Sequence, residues 1–452
     1  MMKNERYAIV LIIGFTERSG RAAWELLRDC AAEFYVYDDA PYEEKADLLT
    51  DAGIDRAHYV GPERYDFLLR AVELAVLSPG VPRSLPVVRD CLLAGVELVG
   101  EIELAYRFYR GGALLAVTGT DGKSTVVALT ALMLQKSGVP ARACGNIGLP
   151  FAAFVRESEP GTAAVVEVSS FQLESITTFR PNAALITNVA EDHLDRYAGM
   201  ADYVAAKQRV YMNMGRPLNR QVMLNAECPE LTVRPGDSPL WFARDRAQGA
   251  DAYIEGKTLV EAGRVLADIS GFRLPGRHNE MNALSAALLA SRAGATRAGM
   301  EAALAEFDGL DHRCRPVGEY NKRLFIDNSK GTTVSSVRSS LAGFDRPIVL
   351  IAGGRDKGLD FSRIRAAVRD RVRYLVLIGE AAQRIHEVLA DVPTGFAETM
   401  AEAVRSAYDH SRAGDVILLS PMCTSWDMYR DYAERGRDFA DCVDALRREV
   451  TS

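Results

Sequence analysis

The stretch Gly119-Thr120-Asp121-Gly122-Lys123-Ser124-Thr125 holds the residue types that a triphosphate requires, in a usable order. Glycines let backbone N–H groups converge on phosphate oxygens, and a following helix adds the partial positive charge of its N-terminus. Lys123 can neutralise the terminal phosphates, and the Ser124 hydroxyl can ligate Mg²⁺. Val117 stands where the GxxxxGK[ST] pattern has its first glycine, so the stretch is a P-loop variant. Magnesium also needs hard oxygen ligands. Glu167 is the first candidate, because a carboxylate inside the apolar run VVEVSS is costly unless it is paired. Its alternative is an outward-facing place on a half-buried strand. Glu191, Asp192, His193 and Asp195 cluster in NVAEDHLDRY, after the next apolar run. That is the strand end at which open α/β sheets bind ligands. Near the start, Gly14 and Gly20 frame a strand-to-helix turn without the central glycine of a dinucleotide fingerprint. Asp38 and Asp39 end the second apolar run, where such folds receive the sugar or base of a nucleotide, or where a plain solvated turn would sit.

The elements that must position these residues alternate between strand and helix along the whole chain. YAIVLIIG, AAWELLRD, EFYVYDD and AVLSPGVP open a parallel α/β domain over 1–103. LLAVTGT, TAAVVEVSS and NAALITNV carry a second over 104–309, with an amphipathic helix expected directly after the glycine-rich loop. RLFIDNS, RPIVLIAGG, YLVLIGE and DVILLSP restart the pattern over 310–452. Residues 229–270 are polar and poorly patterned. At 452 residues the chain is too long for one core. Its net charge of −7 disfavours nucleic-acid and anionic-membrane partners, so any anion must be held by local features. Seven scattered cysteines form no close pairs, which fits reduced thiols in the cytosol and no zinc site. The run Tyr7 to Phe15 suits a buried first strand better than a signal-peptide core, and nothing approaches the roughly 20 apolar residues of a membrane span.

In chain order, TGTDGKST, GNIG, EVSSFQLE, NVAEDHLDRY, YVAAKQRVY, LPGRHNEMNALSA, His312-Arg313, NSKGTT and AGGRDKG resemble the motifs of the Mur ligases, over essentially the whole chain. The resemblance implies a Rossmann-like N-terminal domain for a UDP-linked substrate and a central P-loop ATPase domain with a mostly parallel sheet. A C-terminal Rossmann-like domain for the incoming amino acid completes it. It implies a cytoplasmic, monomeric enzyme of peptidoglycan precursor synthesis. ATP and a pair of Mg²⁺ ions would activate a substrate carboxylate as an acyl phosphate, which an amino group then attacks. SPGVP, GEIELAYRF and above all LLSPMCTSWDMYRDYAERGRDF are similar to the members that join D-glutamate to UDP-N-acetylmuramoyl-L-alanine.

Roles carried over from the resemblance fall on matching residues only. For the UDP-linked substrate these are the loop Ser78, Pro79 and Gly80, then Asn146, Ser169 and Gln172, joined by Asp38 and Asp39 from their place at the end of the second apolar run. ATP would meet the phosphate loop, Asn279, Asn282 and Arg313. Metal would be held by Ser124, Glu167, His193 and Lys207, the last as a carbamate whose oxygens suit Mg²⁺. Lys123, His193, Lys207 and Arg313 form the catalytic set, with His193 a plausible acceptor for the amine proton. D-Glutamate would be held by Lys330, Thr332, Lys357, Ser425 and Tyr432, with Trp426 as a wall or a core residue. Lysines and hydroxyl donors suit an amino acid with two carboxylates.

Four departures stand out. Asp121 replaces the usual asparagine of TGTNGK, and Asp327-Asn328 inverts the usual order. Arg315 stands where glutamate is common, and the first glycine turn is degenerate. Asn328 could weaken a ribose or substrate contact, or Asp327 could replace it. The rival readings are a Mur-type ligase with another acceptor (L-glutamate or a diamino acid), a folylpolyglutamate synthase, and a noncatalytic nucleotide-binding protein. Intact Lys123, Glu167, His193 and Lys207 argue against the last.

Overall fold

Short apolar runs, most of them followed by a helix, build three separate sheets in the computed structural model, which describes residues 6–193, 196–246 and 249–451. The first sheet contains β1 (Tyr7–Ile13), β2 (Ala31–Tyr37), β3 (Tyr59–Val60), β4 (Leu74–Leu77) and β5 (Glu97–Gly100). It is parallel throughout, in the order β3-β2-β1-β4-β5. Val10 to Ile13 are wholly buried because helices cover both faces, as a parallel sheet demands. Strand order reverses between β1 and β4, so Gly14 and Ser78 stand at a topological switch point, where such sheets bind ligands.

The second sheet contains β6 (Leu114–Thr118), β7 (Ala141–Gly145), β8 (Ala163–Glu167), β9 (Ala183–Ile186) and β10 (Val222–Asn225). It continues through β11 (Leu240–Phe242), β12 (Ala252–Glu255), β13 (Thr258–Glu261) and β14 (Arg264–Asp268), in the order β14-β13-β12-β11-β10-β9-β6-β8-β7. Only β12, β13 and β14 pair antiparallel. Four strands thus occupy residues 229–270, where the sequence shows little pattern. Strands of three to five residues are too short to display a two-residue period. The helix Lys123–Lys136 also differs from expectation. It is not amphipathic: Val126, Val127, Leu129, Thr130, Ala131, Met133 and Leu134 are all buried. One side packs on β7 and β8, and Thr130 on the other reaches the Ala286 carbonyl, so few of its faces meet water.

The third sheet contains β15 (Arg315–Tyr320), β16 (Arg323–Asp327), β17 (Ile348–Gly353), β18 (Val372–Ile378), β19 (Thr394–Ala397) and β20 (Val416–Met422). Its order is β15-β16-β20-β17-β18-β19, with β15 alone antiparallel. The architecture is α/β with mostly parallel sheets, as the sequence indicates. The chain forms two compact units. The first runs through Val189 and includes His193–Asp268 and Leu284–Ala303; the second comprises Ala190–Asp192, Ile269–Ala283 and the chain from Leu304 onward. The first unit carries the first two sheets. All seven cysteines are free thiols, and no helix among the described residues is long and apolar enough to cross a membrane.

Within the first unit, the helix Glu101–Phe108 links its two sheets through two buried carboxylates. Glu103 accepts from the backbone N–H groups of Thr177, Thr178 and Phe179 and from both threonine hydroxyls. Burial pushes its carboxyl upward, but bonds from Thr178 and Thr177 outweigh that and hold it below the ordinary range. Glu101 accepts from the Ala152 N–H at 2.6 Å, at the start of the helix Phe151–Glu157. With fewer donors, its carboxyl is pushed by burial up to about 7.

The folded protein therefore holds a proton on Glu101 that the unfolded chain releases near its ordinary value of 4.5. The group's contribution to stability is complete below that pH and is lost as pH rises through about 7. Glu101→Gln keeps the acceptor and cannot ionise. It should exceed the unsubstituted protein in stability by on the order of 3 kcal/mol at pH 8, and by under about 1 kcal/mol at pH 5. Urea unfolding at both pH values measures the difference, and a gap independent of pH would contradict this assignment.

Candidate active site

Leu114–Thr118 is buried at every position and lies between β8 and β9, so the loop that leaves it emerges at the centre of the sheet. The bend needs its glycines. Gly119 has φ +148°, and a Cβ there would run into the Thr187 hydroxyl; Gly122, at φ +80°, precedes the first turn of the helix. The loop is fastened from the end of β9. Thr120 N–H donates to the Asn188 carbonyl at 3.0 Å, and Asp121 N–H donates to Asn188 Oδ1 at 2.9 Å. The Asp121 carbonyl accepts from Thr187 Oγ1 at 2.7 Å and from Asn188 Nδ2 at 3.1 Å. Thr187 and Asn188 were not singled out from the sequence. Their only signal there is a polar pair closing the apolar run AALI, which any turn could show.

Two lysines converge on one carbonyl of this loop. Lys123 Nζ donates to Gly119 O at 3.0 Å and to Thr120 O at 2.7 Å, and Lys207 Nζ donates to Gly119 O at 2.6 Å. Lys207 is 1% exposed and lies 4.1 Å from the Tyr203 ring centroid. The Tyr203 hydroxyl is 3.3 Å from Thr120 Oγ1, and Tyr203 joins Thr187 and Asn188 as a residue that the sequence does not mark. His193 packs near Tyr203 and against Phe171, with ring centroids 6.2 and 4.7 Å apart, and holds a left-handed backbone at φ 53°. His193 and Lys207 thus share Tyr203 as a neighbour.

Glu167 ends β8 and is 1% exposed, so the outward-facing alternative is excluded. Its Oε2 accepts from the buried Ser124 hydroxyl at 2.6 Å, and its Oε1 accepts from Asn146 Nδ2 at 2.9 Å. Among the described residues, no three or more His, Cys, Asp and Glu side chains cluster as a metal-holding group. The hydroxyl–carboxylate pair is instead the hard-oxygen chemistry that Mg²⁺ accepts. Of the acidic stretch after β9, Glu191 is exposed and ion-paired with Arg363 at 3.2 Å, and Asp195 lies outside the described residues.

The residues matched to the UDP-linked substrate divide between two places in the first unit. Ser78 donates its hydroxyl to the Gly14 carbonyl at the switch point, with Pro79 and Gly80 in the turn that follows. Asp38 pairs with Lys45 at 3.1 Å, and Asp39 accepts from the Tyr37 hydroxyl at 2.6 Å. Asn146 belongs with Glu167 at the phosphate loop. Ser169 and Gln172 form a capping box on the short helix Ser170–Leu173, Ser169 Oγ accepting from Gln172 N–H and Gln172 Oε1 from Ser169 N–H.

In the second unit, Asn279 and Asn282 are buried at the start of the helix Arg277–Ser291, where Asn282 Nδ2 donates to Asn279 Oδ1 at 3.2 Å. Arg313 is half-buried between His312 and Cys314, both in left-handed backbone. Its neighbour His312 pairs with Asp327 at 2.7 Å. Asn328 turns inward, donating to Ser340 and Ser420 hydroxyls at 2.8 and 2.9 Å, so the inverted Asp327-Asn328 pair serves internal contacts. Arg315 pairs with exposed Asp311. Lys330 Nζ lies 4.9 Å from the Tyr432 ring, and the Thr332 N–H donates to the Lys330 carbonyl. Lys357 Nζ lies 5.1 Å from the Trp426 ring. Trp426 is 63% exposed and so is not a core residue, whereas Ser425 is buried.

The chain matches the family model for the Mur ligase middle domain over residues 117–290, and that for the Mur ligase glutamate ligase domain over 312–423. It is 36% identical over 449 residues to the UDP-N-acetylmuramoylalanine–D-glutamate ligase of Salinibacter ruber, covering 95% of this chain and 96% of that protein. To the protein of that name from Pelotomaculum thermopropionicum it is 35% identical over 472 residues, covering 99% and 100%. The crystal structure of UDP-N-acetylmuramate-alanine ligase from Thermotoga maritima shares the fold, with TM-score 0.58, 20% identity, and coverage of 97% and 99%.

Because Gly119 faces the Thr187 hydroxyl, Gly119→Ala should weaken binding of a non-hydrolysable ATP analogue by at least about tenfold in calorimetry. Gly61→Ala, where an added Cβ meets nothing within 4 Å, should leave that affinity unchanged. Equal affinities for the two variants would contradict the packing described for the loop.

Proposed function

The chain belongs to the Mur ligase family, and on that premise we propose that it joins D-glutamate to UDP-N-acetylmuramoyl-L-alanine, with hydrolysis of ATP, in cytoplasmic peptidoglycan precursor synthesis. The observation that carries this reading is the convergence of Lys123, Lys207, Ser124, Glu167 and Asn146 on one glycine-rich loop. Relatives bearing the D-glutamate ligase name along nearly their whole length support the choice of acceptor. Residues 1–103 would bind the UDP-linked substrate, 104–309 ATP, and 310–452 the amino acid.

Chemistry then follows from charge and position. The L-alanyl carboxylate attacks the γ-phosphoryl group of ATP in line, ADP departs, and an acyl phosphate remains. Lys123 would hold the terminal phosphates, while the loop N–H groups and the helix start meet their oxygens. Asn279, Asn282 and Arg313 are assigned to the nucleotide by family resemblance. The amine of D-glutamate next attacks the acyl carbon and phosphate leaves. That amine must first lose a proton, for which His193 is the candidate acceptor.

Ser124, Glu167, His193 and a carbamylated Lys207 would hold Mg²⁺, which supplies neutralisation of phosphoryl charge when bound. Ser124 and Glu167 fit it by their buried contact. Lys207 fits by its burial beside the loop and the Tyr203 ring, where a carbamate would supply two hard oxygens that share one negative charge. Lys330, Thr332, Lys357, Ser425 and Tyr432 would hold the two carboxylates of D-glutamate, with Trp426 at the pocket's edge.

The direct test is phosphate release from ATP with UDP-N-acetylmuramoyl-L-alanine, offering D-glutamate, L-glutamate and meso-diaminopimelate separately. Release with D-glutamate is expected; release only with another acceptor overturns the assignment. Lys207→Ala should lose activity by about a hundredfold or more and recover part of it with small carboxylates that replace the carbamate oxygens. Full activity in that variant would remove the carbamate from the mechanism.

A further inference from the structure

Arg435 is a buried cation with no place in the chemistry above. It lies in the first turn of the helix Tyr432–Thr451 and is 2% exposed. Its Nε donates to Ser329 Oγ at 3.0 Å, and its Nη2 donates to the carbonyls of Ser329 at 2.8 Å and Cys423 at 3.1 Å. Ser329, itself wholly buried, donates its hydroxyl to the Tyr432 carbonyl at 2.7 Å. Among the described residues Nη1 has no hydrogen-bond partner; it is buried and faces Gly354, where an added Cβ would come within 3.0 Å of it. Asp427 is near enough to favour the charged form but makes no ion pair with it, and burial pushes the guanidinium down to about 10. A packed apolar side chain would satisfy such a site at lower cost in stability. What the guanidinium provides is geometry.

The three segments it fastens carry the acceptor residues. Ser329 directly precedes Lys330, Gly331 and Thr332; Cys423 directly precedes Thr424 and Ser425; Tyr432 opens the helix that carries Arg435. A further bond runs from Met422 N–H to the Gly331 carbonyl at 3.0 Å, along the same seam. We propose that Arg435, acting through Ser329 and Cys423, is the positioning residue of the amino-acid site, holding Lys330, Thr332, Ser425 and Tyr432 in one register. This rests on the acceptor site proposed above. Residues that bind two carboxylates must be placed within fractions of an ångström, and a planar fork fixes two backbone segments in a way that a lysine ammonium cannot.

Arg435→Lys and Ser329→Ala test it, with KM values for D-glutamate, UDP-N-acetylmuramoyl-L-alanine and ATP, kcat, and thermal unfolding measured on each. The KM for D-glutamate should rise by about tenfold in Arg435→Lys and about threefold in Ser329→Ala, while the other two KM values stay within about twofold. An unchanged D-glutamate KM in both folded variants overturns the proposal, as does a parallel rise in all three KM values, the mark of a merely structural role. If Arg435→Lys does not fold, Ser329→Ala decides alone. Failure of the unsubstituted protein to use D-glutamate refutes the proposed acceptor instead; the same KM comparison, run with the acceptor it does use, then decides the role of Arg435.

Discussion

A carboxylate at the end of a fully buried strand must be answered by its neighbours, and the site around the phosphate loop is organised by that requirement at Glu167. One of its oxygens takes the Ser124 hydroxyl, the other takes the Asn146 amide, and its carbonyl accepts the Asn146 N–H at 2.9 Å. Leaving a buried acceptor without its donor costs about 1–3 kcal/mol, so each contact constrains the others. The sheet register places them: Glu167 stands beside Val117 on β6 and beside Gly145 on β7, the strands that lead into the phosphate loop and the GNIG turn. Loop, turn and carboxylate therefore hold one geometry.

The same place concentrates positive charge in an anionic protein. Lys123 donates to the Gly119 carbonyl at the mouth of a helix whose N-terminus is itself partly positive. A net charge of −7 gives no long-range attraction for phosphate, so any phosphate drawn here would depend on that local field. Burial of Lys207 under Tyr203 removes water from one side of the loop. Elsewhere the fold uses buried charge as fastening: Glu103 gathers three backbone N–H groups and two threonine hydroxyls where two sheets of one unit join, and Arg435 gathers three acceptors in the other.

Much of this was legible before any coordinates. Gly119 to Thr125 and Glu167 announce themselves because their types are costly or strained without a ligand or partner, and strand ends marked by Gly14, Ser78 and Asp38 follow from alternating apolar runs. Thr187, Asn188 and Tyr203 did not stand out. Their types are ordinary, and they matter only because β9 pairs with β6 and because one helix turn brings Tyr203 beside Lys207. The helix Lys123–Lys136 was misjudged as amphipathic because sequence shows polarity and not how many neighbours will cover it. Strands β11 to β14 were hidden by their brevity, and Arg435 resembled any surface arginine in a charged helix until Ser329 and Cys423 were seen around it.

The proposed chemistry requires the glycine-rich loop to be a magnesium-dependent triphosphate site. Calorimetric titration of a non-hydrolysable ATP analogue, with and without Mg²⁺, into the protein and its Lys123→Ala variant addresses it directly. Saturable binding that strengthens with Mg²⁺ and is lost in the variant is the result required. Binding indifferent to both the metal and Lys123 would contradict the account at its root.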